Sequence, residues 1–459
     1  MFNRFDRRSL SPRLVLVAML TLLSLAITAP PAAAQNNDLF NNRAVGGIYT
    51  DAEGILKNAA VDELGQLAKL RTDALDPIPG ELSAPAAMRK VSLRRLEAAI
   101  EKSLKDGEPL PDEVMYLAGL QEIHYVFAYP ELGDIVLAGP GEGWRVDERG
   151  NVVGNTTGRP VLMLDDLLVA LRAAHAEVKQ PISCSIDPTQ QGLQRLQKLV
   201  ARLRTAGDPR MTARAIEQAL GPQAVTIDGV NAQSHLARTL VAADYRMKRI
   251  AMGLEASPVN GLPSFMSMLG GGGRGMNNML PRWWLEPKYE PLLRDAKGLA
   301  YQLRGSRVVC MTEADFVAAS GRKQQTGKAS PKAQRWADLM TKHYDELAKA
   351  EPIFGKLRNC MELAVVGALI VRENLAAKST WSMPLLLDGK RLEVATFFPP
   401  RQVDTVVNPV RKGRSWVFSA SGGVMINPWT ITGQTEVSDE VAEVSPASMP
   451  SDPSRWWWN

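Results

Sequence analysis

Cysteine, histidine and aromatic side chains are scarce: three Cys, four His and 6% Phe, Tyr and Trp in 459 residues. Cys184, Cys310 and Cys360 are too few for a disulfide framework and too far apart for a zinc knuckle. One bridge at most can form, and one thiol is left over. Their surroundings suit small apolar residues better, Cys360 in a buried helix and Cys310 in the run VVCM. His124, His175, His235 and His343 stand singly, without an H-x-x-x-H or H-E-x-x-H pair, and the calcium pattern D-x-[DN]-x-[DN]-G does not occur. No metal and no other cofactor is expected.

Motifs for nucleotide and serine chemistry are missing too. GGGGRG at Gly270–Gly275 lacks the Lys-Ser/Thr that holds phosphate and Mg²⁺. GRKQQTGKA from Gly321 has five residues between its glycines instead of four, and Ala329 stands where a hydroxyl is needed. G-x-S-x-G is absent, and the S-x-x-K of Ser320 to Lys323 has no S-x-N partner, so Ser320 reads as a loop residue.

What the chain does have begins with MFNRFDRRSLSPRLVLVAMLTLLSLAITAPPAAA, residues 1–34. A basic start, an apolar run from Leu14 to Ile27 and small residues ending in Ala34 predict a signal peptide cleaved before Gln35. The run is too short for a membrane span, no cysteine follows it to carry lipid, and the flanks of Arg7-Arg8 fit the twin-arginine route poorly. Export to periplasm, cell envelope or medium is the expectation, with no integral membrane span afterwards. Removing four arginines and one aspartate turns the formal charge of +5 into +2, which weakens any case for nucleic acid.

Helical patterns mixed with short hairpins predict an α+β fold of two or three small domains. The boundaries expected are an N-terminal α+β domain at 35–175, a central region at 176–256 and a Gly/Met-rich linker at 257–281. A C-terminal region at 282–433 and an acidic flexible tail at 434–459 complete the division. The stretches from Gly46 and from Gly143 each carry Asp-x-x-Gly and read as hairpins whose aspartates cap backbone N–H groups. Asp228-Gly229 and Asp388-Gly389 predict two more. Ser92 caps a helix over Leu93–Lys105, Asp187-Pro188 marks a helix start, and long helices follow Ser234, Ser330 and Pro352. Strands are predicted at Ile123–Tyr129 and Asp134–Leu137, placing His124 in a core with Val126 and Ala128.

VGGIYTDAEGILKNA, YPELGDIVLAGPGEGW, SIDPTQQGLQRLQ and HLARTLVAADYRMKRIAMGLE together resemble a secreted family of planctomycete-type bacteria known as a domain of unknown function. The resemblance runs from Val45 to at least Leu375. It implies an exported bacterial protein and carries over no catalytic residue.

The function expected is therefore non-catalytic: an envelope or extracellular protein that binds a polymer or a protein partner, its oligomeric state open. Trp144, Trp283, Trp284 and Tyr289, with Trp416 and Trp429, lie near Gly- or Pro-rich turns, where rings stack on sugars or partners or else plug small cores. Glu142 stands beside Trp144 on the same rim. Trp456 to Trp458 read as a docking tag on a flexible stem. The alternative is an envelope polysaccharide or peptide hydrolase using Glu122, Glu131, Asp134 or Glu142, with His124, which requires that these line one cleft with raised carboxyl pKa values.

Overall fold

A computed structural model describes residues 44–459 except 52, 60–65, 74, 203–207, 270–278, 318–322, 326, 408–420, 450, 451 and 453. Residues 1–34, expected to be a signal peptide, and Gly270–Gly275, Ser320 and Trp416 lie outside the described residues. Strands form where apolar residues alternate or run between turn residues. They are β1 (Ile48–Thr50), β2 (Ile55–Asn58), β3 (Ala86–Ser92), β4 (Tyr125–Tyr129), β5 (Asp134–Gly141) and the short pair β6 (Trp144–Val146) and β7 (Val152–Gly154). β8 (Ile182–Pro188), β9 (Gln223–Asp228), β10 (Met279–Lys288), β11 (Leu292–Arg294), β12 (Ala300–Gln302), β13 (Arg307–Val317) and β14 (Lys323–Gln325) follow. β15 (Gln402–Val403), β16 (Ser421–Ile426), β17 (Thr435–Val437) and β18 (Trp457–Trp458) close the chain.

A nine-stranded sheet runs β1-β2-β15-β9-β8-β16-β10-β13-β14, a seven-stranded one β17-β11-β12-β4-β5-β3-β18, and β6-β7 is a ribbon. Most pairs are antiparallel, while β10 with β16, β2 with β15 and β11 with β17 are parallel. The class is mixed α+β, as expected. The predicted blocks share these sheets: the larger one takes β1 and β2, then β8 and β9, then β10, β13 and β16 from three successive parts of the chain. Ala44–Asn459 accordingly forms one compact unit.

The longer helices are α1 (Leu93–Asp106), α2 (Leu164–His175), α3 (Gln190–Arg202), α4 (Pro209–Leu220), α5 (His235–Ala251), α6 (Pro331–Lys342), α7 (Pro352–Arg372) and α8 (Asp439–Ala447). Ser92 caps α1 by accepting from the N–H of Arg95 at 3.1 Å, and Leu93, Leu96 and Ile100 fill the core beneath it. α7 is apolar on nearly every side and packs against α2 and α5 at the centre of the molecule. A methyl at Gly367 would stand 2.9 Å from the carbonyl oxygen of Ala170, so a glycine lets α7 and α2 approach. Each Leu, Ile or Val wholly buried here contributes about 1.5 to 3 kcal/mol. No helix among the described residues is long and apolar enough to cross a membrane.

Several expectations change. Asp187-Pro188 ends β8 and does not start a helix; α3 begins at Gln190. Gly229 has the predicted positive φ of 83°, but its turn leads from β9 into α5, because β9 pairs with β8 and β15 on either side. Asp388-Gly389 likewise makes no hairpin: Gly389–Pro400 is a strap without regular structure, turned by Asp388, which accepts from the N–H groups of Lys390 and Arg391. The described part of the 257–281 linker is packed, with Leu262, Phe265 and Met266 in the core.

The tail is neither flexible nor a free tag. β17 extends the smaller sheet beside β11, α8 crosses that sheet, and β18 pairs with β3. Trp456 and Trp457 are buried, and the wholly buried Arg89 donates to the carbonyls of Leu82, Ala84 and Ala118 and to Oδ1 of Asn459. Aromatic area and unpaired strand edges together hold the segment that composition marks as polar.

Candidate functional site

Most residues singled out from the sequence do not form one surface. Trp283 is fully buried between Phe265 and Trp336, ring centroids 4.9 and 4.7 Å away. Trp144 is buried edge-on to Tyr116. Trp284 is half-buried, its Nε1 donating to Glu286 at 2.9 Å and its ring beneath Arg282. Trp429 is half-buried beneath Lys179. Tyr289 is half-buried, and burial raises its hydroxyl pKa, with the charge of Glu362 adding to the effect. Trp144 and Trp283 thus fill cores, while Trp284 and Trp429 lie at the surface under cationic side chains.

Glu142 is a buried clamp. It accepts from the amide of Gln121, from the N–H groups of Thr156 and Thr157 and from the Thr157 hydroxyl. Burial alone would raise its pKa, but these donors outweigh it and bring it to about 2. A methyl at Gly154 would stand 2.0 Å from Glu142 Oε1, so the glycine makes room for the clamp. Asp134 is buried too, accepting from the Ser92 hydroxyl and the N–H of Arg94 at the head of α1, while Glu131 is exposed. His124 is exposed, not in the core, because the chain becomes β4 only at Tyr125; its Nε2 lies 3.2 Å from Glu122. Burial pushes the Glu122 carboxyl up, yet His124, Arg159 and Arg358 more than offset this and leave it lowered. A cleft of Glu122, His124 and Glu142 with raised carboxyl pKa values is therefore not formed.

The structure brings a different acid to Glu122. Glu362 on α7 is buried, accepts from the N–H of Ile123 at 3.0 Å, and is pushed up to about 8 by burial and by the nearby charge of Glu122. One carboxyl is held neutral and its neighbour ionised, the pattern that divides acid from base in catalytic pairs. The signal was readable in sequence: Glu362 is the only charge between Arg358 and Arg372.

A solvent-facing groove of about 710 Å³ lies elsewhere, between α2, the turn after β9 and the strap. Val169, Ala173 and Val394 give it an apolar floor, and Gln180, Asn231, Glu393 and Thr396, all four on exposed loops, give it polar groups. Arg172 ties the strap to α2 by donating from Nη2 to the carbonyl of Leu392 at 2.8 Å, and its Nε donates to that of Leu386, just before the strap, at 3.0 Å. Asp165 accepts from the N–H of Ala395, and burial raises its pKa.

Behind the strap sits a buried polar cluster. His235 Nδ1 is 3.0 Å from both oxygens of Asp166, and the Cys360 thiol lies 3.8 Å from the same carboxylate. Arg238, one turn along α5, is wholly buried over the ring of Phe397, and burial lowers its pKa to about 10. Like Glu362, it is a lone charge in an apolar helical stretch, the only one from His235 until Asp244 apart from the histidine. All three cysteines are free and buried, with thiols pushed well above their ordinary range by burial, as suits small apolar residues in a core. No group of three or more His, Cys, Asp or Glu among the described residues is arranged to hold a metal ion.

Residues 184–265 match the family described as "Protein of unknown function (DUF1598)". That span runs from β8 through α5 to Phe265 and supplies the Gly229–Asn231 wall of the groove, His235 and Arg238. No curated protein and no solved structure is similar to the chain.

Proposed function

We propose that the protein is exported and acts by binding an envelope or extracellular polymer or partner, with the groove between α2, the Gly229–Asn231 turn and the strap as the seat for that ligand. The groove itself carries the reading: a space of about 710 Å³ with an apolar floor and amide, carboxylate and hydroxyl groups around it matches the composition of small-ligand sites. Export is supported by the leader pattern of residues 1–34. Filling the groove from exposed positions, with Thr396→Trp or Asn231→Trp, leaves the core untouched and is expected to abolish retention on immobilised envelope fragments. Retention equal to wild type in both variants refutes the assignment.

A second reading, hydrolysis by a carboxylate pair, is favoured by the contrast between Glu362 and Glu122. It requires that Glu362→Gln and Glu122→Gln each abolish release of soluble products from envelope polysaccharide or peptide. Wild-type protein that releases none removes it.

A further inference from the structure

Among the described residues, Arg238 holds a buried charge without a counter-ion. Its side chain is 0% exposed, and its Nε and Nη2 have no hydrogen-bond acceptor among the described residues. Only Nη1 is engaged, donating to the carbonyl of Phe398 at 3.4 Å. Burial is the one cause that shifts the Arg238 pKa, and no acid among the described residues acts on it. A guanidinium so placed is unfavourable unless an acceptor pairs with it, and its position in the first turn of α5 adds the positive end of the helix dipole.

We propose that Arg238 anchors a carboxylate group of the ligand at the inner end of the groove, an inference that rests on the groove reading above. Nε and Nη2 share one edge of the guanidinium and present two parallel N–H bonds, the fork that a carboxylate accepts with both oxygens. The end of the strap lies against this guanidinium, through the ring of Phe397 and the bond from Nη1 to Phe398. Thr396 lines the groove, and the next two residues, Phe397 and Phe398, lie over Arg238. Phe397 is held by its N–H, which donates to the carbonyl of Gln233 at 2.8 Å, and by burial of its ring in the core beside His235. Access from the groove to the guanidinium requires Thr396–Phe398, a segment without helix or strand, to move and to take the Phe397 ring out of the core.

Thermal unfolding of the whole protein in acetate or succinate, against phosphate and against chloride of equal ionic strength, tests this. Both carboxylates are expected to raise the wild-type Tm above the chloride value. Arg238→Met should abolish that rise and, without added anion, unfold no earlier than wild type, because an unpaired buried charge has been removed. Arg238→Lys keeps the charge, loses the fork and should weaken the apparent affinity by about tenfold or more. No rise in wild type, an equal rise in Arg238→Met, or a rise confined to phosphate overturns the proposal. The two readings separate cleanly. If envelope fragments are retained by Arg238→Met and lost by Thr396→Trp, the groove stands and the anchor fails. A carboxylate effect lost in Arg238→Met, with fragment retention unchanged in Thr396→Trp, leaves the anchor and removes the groove.

Discussion

Replacing Glu362 by Gln should flatten the pH dependence of stability between 4.5 and about 8. Glu362 is buried and its carboxyl is pushed from 4.5 up to about 8, so between these values the folded state holds a proton that the unfolded chain has released. Stability from this group is fully present below 4.5 and is lost as pH rises through about 8. At about 1.4 kcal/mol per pH unit, that interval sets a ceiling of about 5 kcal/mol, a large part of the total stability of an ordinary domain. Gln keeps an oxygen for the N–H of Ile123, 3.0 Å away in the wild type, and cannot ionise. Asp244, pushed up to about 7 by burial despite Lys248, works in the same direction, so the variant keeps a smaller slope. Urea unfolding of both proteins across this range reads the difference directly. Parallel stability curves for wild type and Glu362→Gln would refute the account of how this acid is held.

Three other outcomes are expected. Trp457→Ala should cost about 3 kcal/mol or more by denaturation midpoint, since it removes a buried ring beside Arg89 and weakens the pairing of β18 with β3; a free docking tag would give no change. A thiol reagent should label none of Cys184, Cys310 and Cys360 in the native protein and all three after unfolding, counted by mass spectrometry. The exported form should begin at Gln35 by intact mass, and a chain that retains residues 1–34 in the envelope fraction contradicts the leader reading.

Local chemistry was legible wherever it acts on its own backbone. The hairpin β1–β2, the ribbon β6–β7 and the capped helix α1 follow from Asp-x-x-Gly turns and from Ser92, because the groups that make them lie within a few residues of one another. Asp228-Gly229 shows the limit of that logic. A turn residue states that the chain bends, while the partner of β9 is decided by β8 and β15 from distant parts of the chain. The candidate site was harder still. Trp144, Trp283 and Glu142 looked available from their neighbours in sequence, and burial, a property of the whole fold, withdrew them. Arg238 and Glu362 carried a visible mark, one charge in an apolar helix, but the mark does not say which partner is missing or near.

By itself the sequence determined the mixed α+β class, the absence of familiar metal and nucleophile motifs, and the placement of most helices and tight turns, all consequences of local periodicity and backbone preference. Only the tertiary structure decided that the predicted blocks share two sheets, that the Trp-rich tail is a strand and a plug, that the strap and α2 enclose a groove, and that Arg238 lies behind it with one edge of its guanidinium unpaired. The reason is the same in each case. Strand partners, burial and the pairing of charges are set by residues far apart in the chain, and they acquire their energies only when folding brings those residues together.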